Sequence, residues 1–166
     1  MNHYAAHTHA LRAELGRAVD RERLRALHVK TPARHFAVAL RQFAILAVAT
    51  WGLIRFDAPL IWIPLAAVQG FTVFNFTILL HEVLHHNVFE RTRPLATRIL
   101  GLLYATPSGI SASQFTRWHL DHHAELGSNE DDPKRAHLSP KVNKRWYKLL
   151  YCTPALFPIY FRAARR

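Results

Sequence analysis

The sequence predicts an all-α fold built around an integral membrane helical hairpin of two transmembrane helices, beside which interfacial or cytoplasmic helices carry clustered histidines. Three observations support this prediction. Two long apolar stretches follow one another in the first half of the chain, nearly all lysines and arginines lie outside them, and six of the 12 histidines fall in two short runs. A chain of 166 residues is long enough for one such domain.

The hairpin is predicted from two apolar stretches at residues 36–54 and 59–80. The second stretch has 22 residues without a charge, and about 20 helical residues are enough to cross the hydrocarbon core of a bilayer. Only residues 55–58 separate the stretches, so the two helices must run antiparallel. A soluble protein with two buried helices is less favoured, because a soluble core rarely holds so many uncharged residues in one helix.

The charges support the hairpin independently. Of the 22 lysines and arginines, Arg55 alone lies in the turn, and Arg41 lies near the N-terminal end of the first stretch. Because basic residues favour the cytoplasmic side, we expect both chain ends and both histidine runs to face the cytoplasm. The net charge of +11 would also suit nucleic acid or an acidic partner. Since half of the residues are hydrophobic and lie in blocks, we expect a membrane and no nucleic acid.

The segments outside the hairpin predict shorter helices at the membrane surface. Residues 1–30 form a basic N-terminal segment, in which a frayed tail at residues 1–9 precedes one amphipathic helix. Residues 31–166 form the membrane domain. Within it, residues 95–104 are apolar but too few to span a bilayer, which indicates an interfacial helix.

A further helix is predicted after this segment. Ser111 followed three residues later by Gln114 has the spacing of a capping box, so a helix should begin there and contain the second histidine run. Later, the basic aromatic stretch 141–148 is typical of the lipid headgroup zone, and residues 149–161 are apolar again.

The two histidine runs lie at residues 81–86 and 119–123. On a helix, where each residue advances by about 100°, the first run presents histidines at positions i, i+4 and i+5, and the second at i, i+3 and i+4. Each helix can therefore direct two or three imidazoles towards a common point. Histidine is the commonest side-chain ligand for borderline metals. We predict a metal site whose ligands are His81, His85, His86, His119, His122 and His123.

The histidine spacing alone leaves the identity of the metal open. His81, Glu82 and His85 form an HExxH pattern, in which two histidines bind zinc and the glutamate acts as general base, so a membrane zinc metalloprotease is an alternative. That mechanism needs no second histidine-rich helix, and a large set of imidazole ligands suits two iron ions better. A third hypothesis, a non-catalytic module that binds the membrane surface through its basic helices, leaves the histidine spacing unexplained.

From about residue 31 onwards the sequence resembles the membrane-bound fatty acid desaturase and hydroxylase superfamily. That family has a first histidine box at the cytoplasmic end of a transmembrane helix, a second box HxxHH some tens of residues later, and a third box much further on. Residues 81–87 (HEVLHHN) are similar to the first box of the sphingolipid desaturase type. Residues 117–123 (RWHLDHH), together with residues 131–133 (DDP), are similar to ordinary family sequence around the second box.

The resemblance implies a lipid (fatty acyl) desaturase that uses O₂ and a histidine-ligated pair of iron ions to remove hydrogen from an unactivated C–H bond. A lipid or carotenoid hydroxylase of the same superfamily is the alternative. Electrons would come from a ferredoxin, cytochrome b5 or a similar carrier. The resemblance also implies that Glu82, Asp121 and Asp132 hydrogen-bond the ligand imidazoles and orient them.

One departure from the family pattern affects the expected activity. No third box follows the second, since His137 is the one histidine after His123. Two iron ions would then share at most six box histidines. We therefore expect these residues to correspond to the N-terminal part of a desaturase-like protein, and to be incompetent for catalysis alone.

Overall fold

The structure, a computed structural model, describes residues 2–128, 130–134 and 149 of the chain. These residues form α-helices, turns and bends with no β-strand among them, which confirms the all-α prediction. The helices are α1 (His3–Ala18), α2 (Arg21–Leu27), α3 (Pro32–Arg55), α4 (Pro59–Leu84), α5 (Pro94–Ala105) and α6 (Ala112–Ala124). The predicted headgroup-zone stretch at 141–148 lies outside the described residues, as do His137 and, apart from Leu149, the apolar segment at 149–161.

The chain divides into two compact units. The first, which we call the hairpin unit, is Leu24–Phe115 and contains α3, α4 and α5. The second, which we call the terminal unit, combines Met1–Arg23 with Thr116–Arg166 and contains α1. The unit boundaries fall inside α2 and α6. The first histidine run therefore belongs to the hairpin unit and the second to the terminal unit.

The predicted hairpin is formed by α3 and α4, which are joined by residues 56–58. Pro32 and Pro59 stand in the first turns of these helices, where the missing N–H costs no helical hydrogen bond. The stretch Arg21–Arg55, which includes α3, and the whole of α4 are long and apolar enough to cross a membrane. Both helices keep large apolar side chains exposed, for example Phe71 at 74%. Exposed apolar side chains of this size on two long helices suit lipid.

Close contacts join the two long helices. A Cβ atom at Gly52 would lie 2.7 Å from the Leu65 side chain, so only glycine permits this approach without a shift of its neighbour. Gln69 Nε2 also donates a hydrogen bond to Thr50 Oγ1 at 3.3 Å. This bond pairs two polar groups inside a segment that a bilayer would surround, where no water is present to replace it.

The core of the hairpin unit lies at the end of the hairpin that carries the first histidine run, where α5 packs against α4. Phe76 and Tyr104 are 0% and 1% exposed, and the rings of Phe43 and Phe76 are 4.6 Å apart. The buried members of this core are Ala39, Phe76, Leu79, Leu80, Val83, Val88, Leu100, Tyr104 and Ala105. Because they come from α3, α4, α5 and the loop after α4, they hold the C-terminal end of α4 in place.

The N-terminal segment differs from the sequence prediction. α1 begins at His3, so the frayed tail predicted for residues 1–9 is wrong. Its first turn is held by Glu125, whose Oε2 accepts a hydrogen bond from the His3 N–H at 3.1 Å, as a helix N-terminus favours a carboxylate. A break then separates α1 from α2, where the sequence predicts one helix. At that break Asp20 Oδ2 accepts a hydrogen bond from the Glu22 N–H at 3.2 Å and starts α2.

Candidate metal centre

The first histidine run lies at the C-terminal end of α4. His81 is in the last turn of the helix and His85 is its C-cap residue. Their ring centroids are 4.5 Å apart, and their ligating nitrogens lie within 4.8 Å of each other. The Glu82 carboxylate is 3.7 Å from His81 Nδ1, which is too far for a hydrogen bond. Two imidazoles in this arrangement can contribute to one metal site.

A Schellman motif ends α4 and determines the position of His86. The Asn87 N–H donates to the Glu82 carbonyl and the His86 N–H to the Val83 carbonyl, both at 3.0 Å. His86 has a φ of 56°, in the left-handed region, at the position where glycine is usual. This conformation costs a residue with a side chain about 1–2 kcal/mol. The His86 ring is exposed, and its carbonyl accepts a 2.7 Å hydrogen bond from Lys30 Nζ.

The second histidine run lies in the C-terminal half of α6. Ser111 Oγ accepts a hydrogen bond from the Gln114 N–H at 3.3 Å, which confirms the predicted start of this helix. The ring centroids of His119 and His123 are 4.5 Å apart, and their ligating nitrogens lie within 4.8 Å of each other. His122 adjoins both, at 6.1 Å from His119 and 5.6 Å from His123. His119 is buried, whereas His123 is exposed.

A buried carboxylate orients one of these imidazoles. Asp132 is 0% exposed, and its Oδ1 accepts a 2.7 Å hydrogen bond from His122 Nδ1. The same carboxylate accepts hydrogen bonds from the backbone N–H of Lys134 at 2.9 Å and of Gly127 at 3.3 Å. Because Nδ1 of His122 carries the hydrogen in this bond, Nε2 keeps the lone pair that a metal ion needs. The Trp118 ring also stacks on His122, with 6.1 Å between centroids.

The three carboxylates that the sequence indicates are placed differently. Asp132 bonds directly to His122, whereas Glu82 stays 3.7 Å from His81. Asp121 is exposed, and its carboxylate forms no hydrogen bond or ion pair with another described residue. A metal-binding histidine usually donates its second ring N–H to a carboxylate or a carbonyl. Among the three, Asp132 has the geometry of such a partner.

His35 and Tyr104 form a polar pair that the sequence does not single out. His35 Nε2 lies 3.1 Å from the Tyr104 hydroxyl, which joins α3 to α5 beside the core. Burial raises the pKa of the Tyr104 phenol, so its hydroxyl is even further from ionisation at neutral pH than an ordinary phenol. The one feature of the sequence that could have indicated this pair is a histidine in the first turn of a long apolar helix.

The residues present fit a metal centre with imidazole ligands. Each run brings at least two ring nitrogens close together, and the buried Asp132 holds one further ring in the tautomer that leaves Nε2 available. Imidazole is a good ligand for iron and for zinc alike. The donor set therefore supports a transition metal, and it does not by itself choose between these two.

A protein-family model described as fatty acid desaturase matches residues 58–165, which is more than half of the chain. A sphingolipid delta(4)-desaturase of Drosophila melanogaster is 34% identical over 74 residues, covering 43% of this chain and 23% of that protein. The corresponding protein of Xenopus tropicalis is 30% identical over 81 residues, covering 48% of this chain and 23% of its own length.

A sphingolipid delta(4)-desaturase/C4-monooxygenase of Bos taurus is also similar, with 29% identity over 90 residues. The alignment covers 54% of this chain and 26% of that protein. The chain thus spans about a quarter of the length of the curated relatives it matches. No solved structure matches the chain.

Proposed function

The chain belongs to the fatty acid desaturase family, and on that premise we propose that it serves O₂-dependent desaturation of a lipid through a histidine-ligated pair of iron ions. The observation that carries the proposal is the hydrogen bond between the buried Asp132 carboxylate and His122. The helix that holds His122 presents two further imidazoles beside it. When bound, the iron ions would activate O₂ and remove hydrogen from an unactivated C–H bond of the lipid chain.

We assign the metal ligands to six histidines. Two irons need more nitrogen ligands than either run supplies, so family membership together with this count supports ligands from both runs. His86 is included because the chain keeps a histidine at a helix end whose backbone favours glycine, and strain of this kind is often retained for function. The ligands are His81, His85, His86, His119, His122 and His123.

The carboxylates act on the ligands and not on the substrate. Asp132 fixes the tautomer and the orientation of His122, so that Nε2 is the ligating atom. We propose the same orienting role for Glu82, from its 3.7 Å approach to His81, and for Asp121, from its place between two box histidines in the sequence. No side chain needs to act as a general acid or base in this scheme.

Six imidazoles do not saturate two iron ions that take about five or six ligands each. We therefore propose that these 166 residues alone bind iron incompletely and do not turn over. For a complete enzyme, a ferredoxin, cytochrome b5 or similar carrier would supply the electrons.

The relatives guide the choice of substrate. Two of them are named as sphingolipid delta(4)-desaturases, so a sphingolipid chain is the first lipid to test. Hydroxylation of the same class of lipid is the second candidate function, and the relative named as a desaturase/C4-monooxygenase favours it. Both reactions begin with removal of hydrogen from the same kind of C–H bond.

We further propose that both histidine runs face the cytoplasm. The turn between α3 and α4 is only residues 56–58, so the start of α3 and the end of α4 lie on one side of a bilayer that the hairpin crosses. The lysines and arginines of the chain are concentrated in the segments that adjoin those two ends, and such residues favour the cytoplasmic side.

The metal content of the full chain, purified in detergent after expression with iron and zinc both supplied, tests this proposal. We expect bound iron, and we expect the His119→Ala/His123→Ala double variant to lose most of it. The control is His9→Ala, which removes one exposed imidazole of α1, outside both histidine runs, and should keep the iron. Zinc without iron, retained in the double variant, would overturn the proposal and support a zinc site at His81, Glu82 and His85.

A further inference from the structure

A basic depression lies beside the first histidine run, entirely within the hairpin unit. It is lined by the segment before α3, the loop after α4 and the first turn of α5. The residues of this depression that carry the argument are Lys30, Phe89, Arg91 and Arg93, with the hydroxyls of Thr92 and Thr97 beside them. His86, one of the six histidines assigned to the metal, also lines the depression, whereas the residues that carry the argument are not metal ligands.

Lys30 is held in place at one wall of the basic depression. Its backbone N–H donates to Glu90 Oε1 at 2.8 Å, and its Nζ donates to the His86 carbonyl at 2.7 Å. These two bonds fix the lysine side chain over the end of α4. An ammonium group has three N–H donors, so the bond to the carbonyl leaves donors for a second acceptor. Glu90, the one acidic residue of the lining, is already engaged by the Lys30 backbone.

The two arginines supply most of the positive charge. Arg91 and Arg93 are exposed, and neither guanidinium forms a hydrogen bond or an ion pair with another described residue. The Arg93 guanidinium lies 5.4 Å from the centroid of the Phe89 ring, which restricts where it points. A guanidinium offers a planar fork of N–H donors that matches a phosphate group. Three cations therefore surround an open space, together with the Glu90 carboxylate that already accepts a hydrogen bond from Lys30.

The location of the basic depression indicates the source of the phosphate. Lys30 lies two residues before α3 begins, and Arg91 and Arg93 follow the end of α4 by fewer than ten residues. In a bilayer crossed by this hairpin, both positions fall at the level of the lipid headgroups. We propose that the basic depression binds the phosphate group of an anionic membrane lipid, with Arg91 and Arg93 as its principal ligands and Lys30 as a third cation.

Binding of a short-chain phosphatidic acid to the full chain in non-ionic detergent, measured by calorimetry, tests the assignment. We expect the Arg91→Gln/Arg93→Gln variant to weaken binding by about tenfold or more, because at least one charge-assisted hydrogen bond is lost. The control is Arg98→Gln, which removes one positive charge from an exposed position of α5 outside the depression and is matched in charge to the single variant Arg91→Gln. Its binding should stay within about twofold, since salt screens charges that do not touch the ligand.

Three results would overturn the assignment. Equal weakening by Arg98→Gln would mean that only the overall surface charge attracts the lipid. Equal binding of phosphatidylcholine with the same acyl chains would show that the headgroup is not recognised. Inorganic phosphate that binds as tightly as phosphatidic acid would identify a site for free anions. If the double variant loses its helical circular dichroism, the single Arg91→Gln variant takes its place, with the same expected direction.

Discussion

The two histidine runs are held in place by different physical means. The first run ends a 26-residue apolar helix, and the last turns of that helix are buried in the core through residues such as Phe76, Leu80 and Val83. The second run lies on a 13-residue helix with few apolar residues, in which His119 is the buried member. There the support is polar, because the buried Asp132 carboxylate collects three hydrogen bonds around the end of the helix.

This difference predicts how each run responds to substitution. A packed core is sensitive to lost volume, because neighbouring side chains cannot fill the cavity that remains. A buried carboxylate with several donors is sensitive to lost charge, because removing it leaves buried N–H groups without an acceptor. Volume changes should therefore disturb the first run, and changes of polarity should disturb the second.

The largest effect is expected from Phe76→Ala in the hairpin unit. Phe76 is fully buried and packs with Phe43 and Tyr104, at 4.6 Å and 6.3 Å between ring centroids. Its truncation should lower the free energy of unfolding by about 3–5 kcal/mol, which is usual for a buried phenylalanine. Denaturant unfolding of the detergent-solubilised chain measures this loss. The control Phe74→Ala removes an exposed ring of the same helix and should change the value little; equal losses would contradict the core described here.

The next effect is expected from Asp132→Ala in the terminal unit. The variant leaves His122 Nδ1–H and the N–H groups of Gly127 and Lys134 without their acceptor, at a local cost of about 2–3 kcal/mol. Hydrogen exchange should quicken in residues 116–134 and stay unchanged in α4. Iron affinity should fall about 10- to 100-fold, as for other partners of metal-binding histidines. Asp131→Ala, which removes an exposed neighbouring carboxylate, is the control, and an equal response from it would refute the role of Asp132.

The smallest effect is expected from His86→Gly. This variant should raise the stability of the chain and weaken its metal binding. Glycine relieves the left-handed backbone at the end of α4, so the iron-free chain should gain about 1 kcal/mol in unfolding free energy. The same variant should hold less iron, because an imidazole is lost. His86→Ala separates the two effects, since it removes the ring but keeps the Cβ atom: it should lose iron without gaining stability. Iron content unchanged in both variants would remove His86 from the ligand set.

Local signals in the sequence predict much of this fold. The uncharged residues 59–80 predict α4, and the serine and glutamine three residues apart predict the start of α6. Both signals act within one helix, where periodicity and capping are determined by neighbours in the chain. The spacing of the histidines likewise predicts which imidazoles stand next to each other on a helix.

The sequence carries no readable signal for contacts between residues that are far apart along the chain. Nothing near His3 indicates that Glu125, 122 positions later, accepts its backbone N–H and starts α1 at that residue. The bond between His35 and Tyr104 spans 69 positions in the same way. Asp132 is an intermediate case: the family resemblance implies that it bonds a ligand imidazole, but only the folded chain shows that it is buried and that its partner is His122. Burial depends on tertiary packing, which the order of residues along a single chain does not reveal as a local pattern.

The length of α4 makes the position of the first histidine run depend on the thickness of the bilayer. The 22 uncharged residues before His81 extend about 33 Å, close to the hydrocarbon thickness of about 30 Å for an average bilayer. Hydrophobic mismatch then acts directly on the first histidine run, since a thicker bilayer would draw His81 towards hydrocarbon unless the helix tilts less or the lipid thins around it. Membranes that differ by a few ångströms in thickness should thus present these imidazoles to water, or withhold them from it, to different degrees.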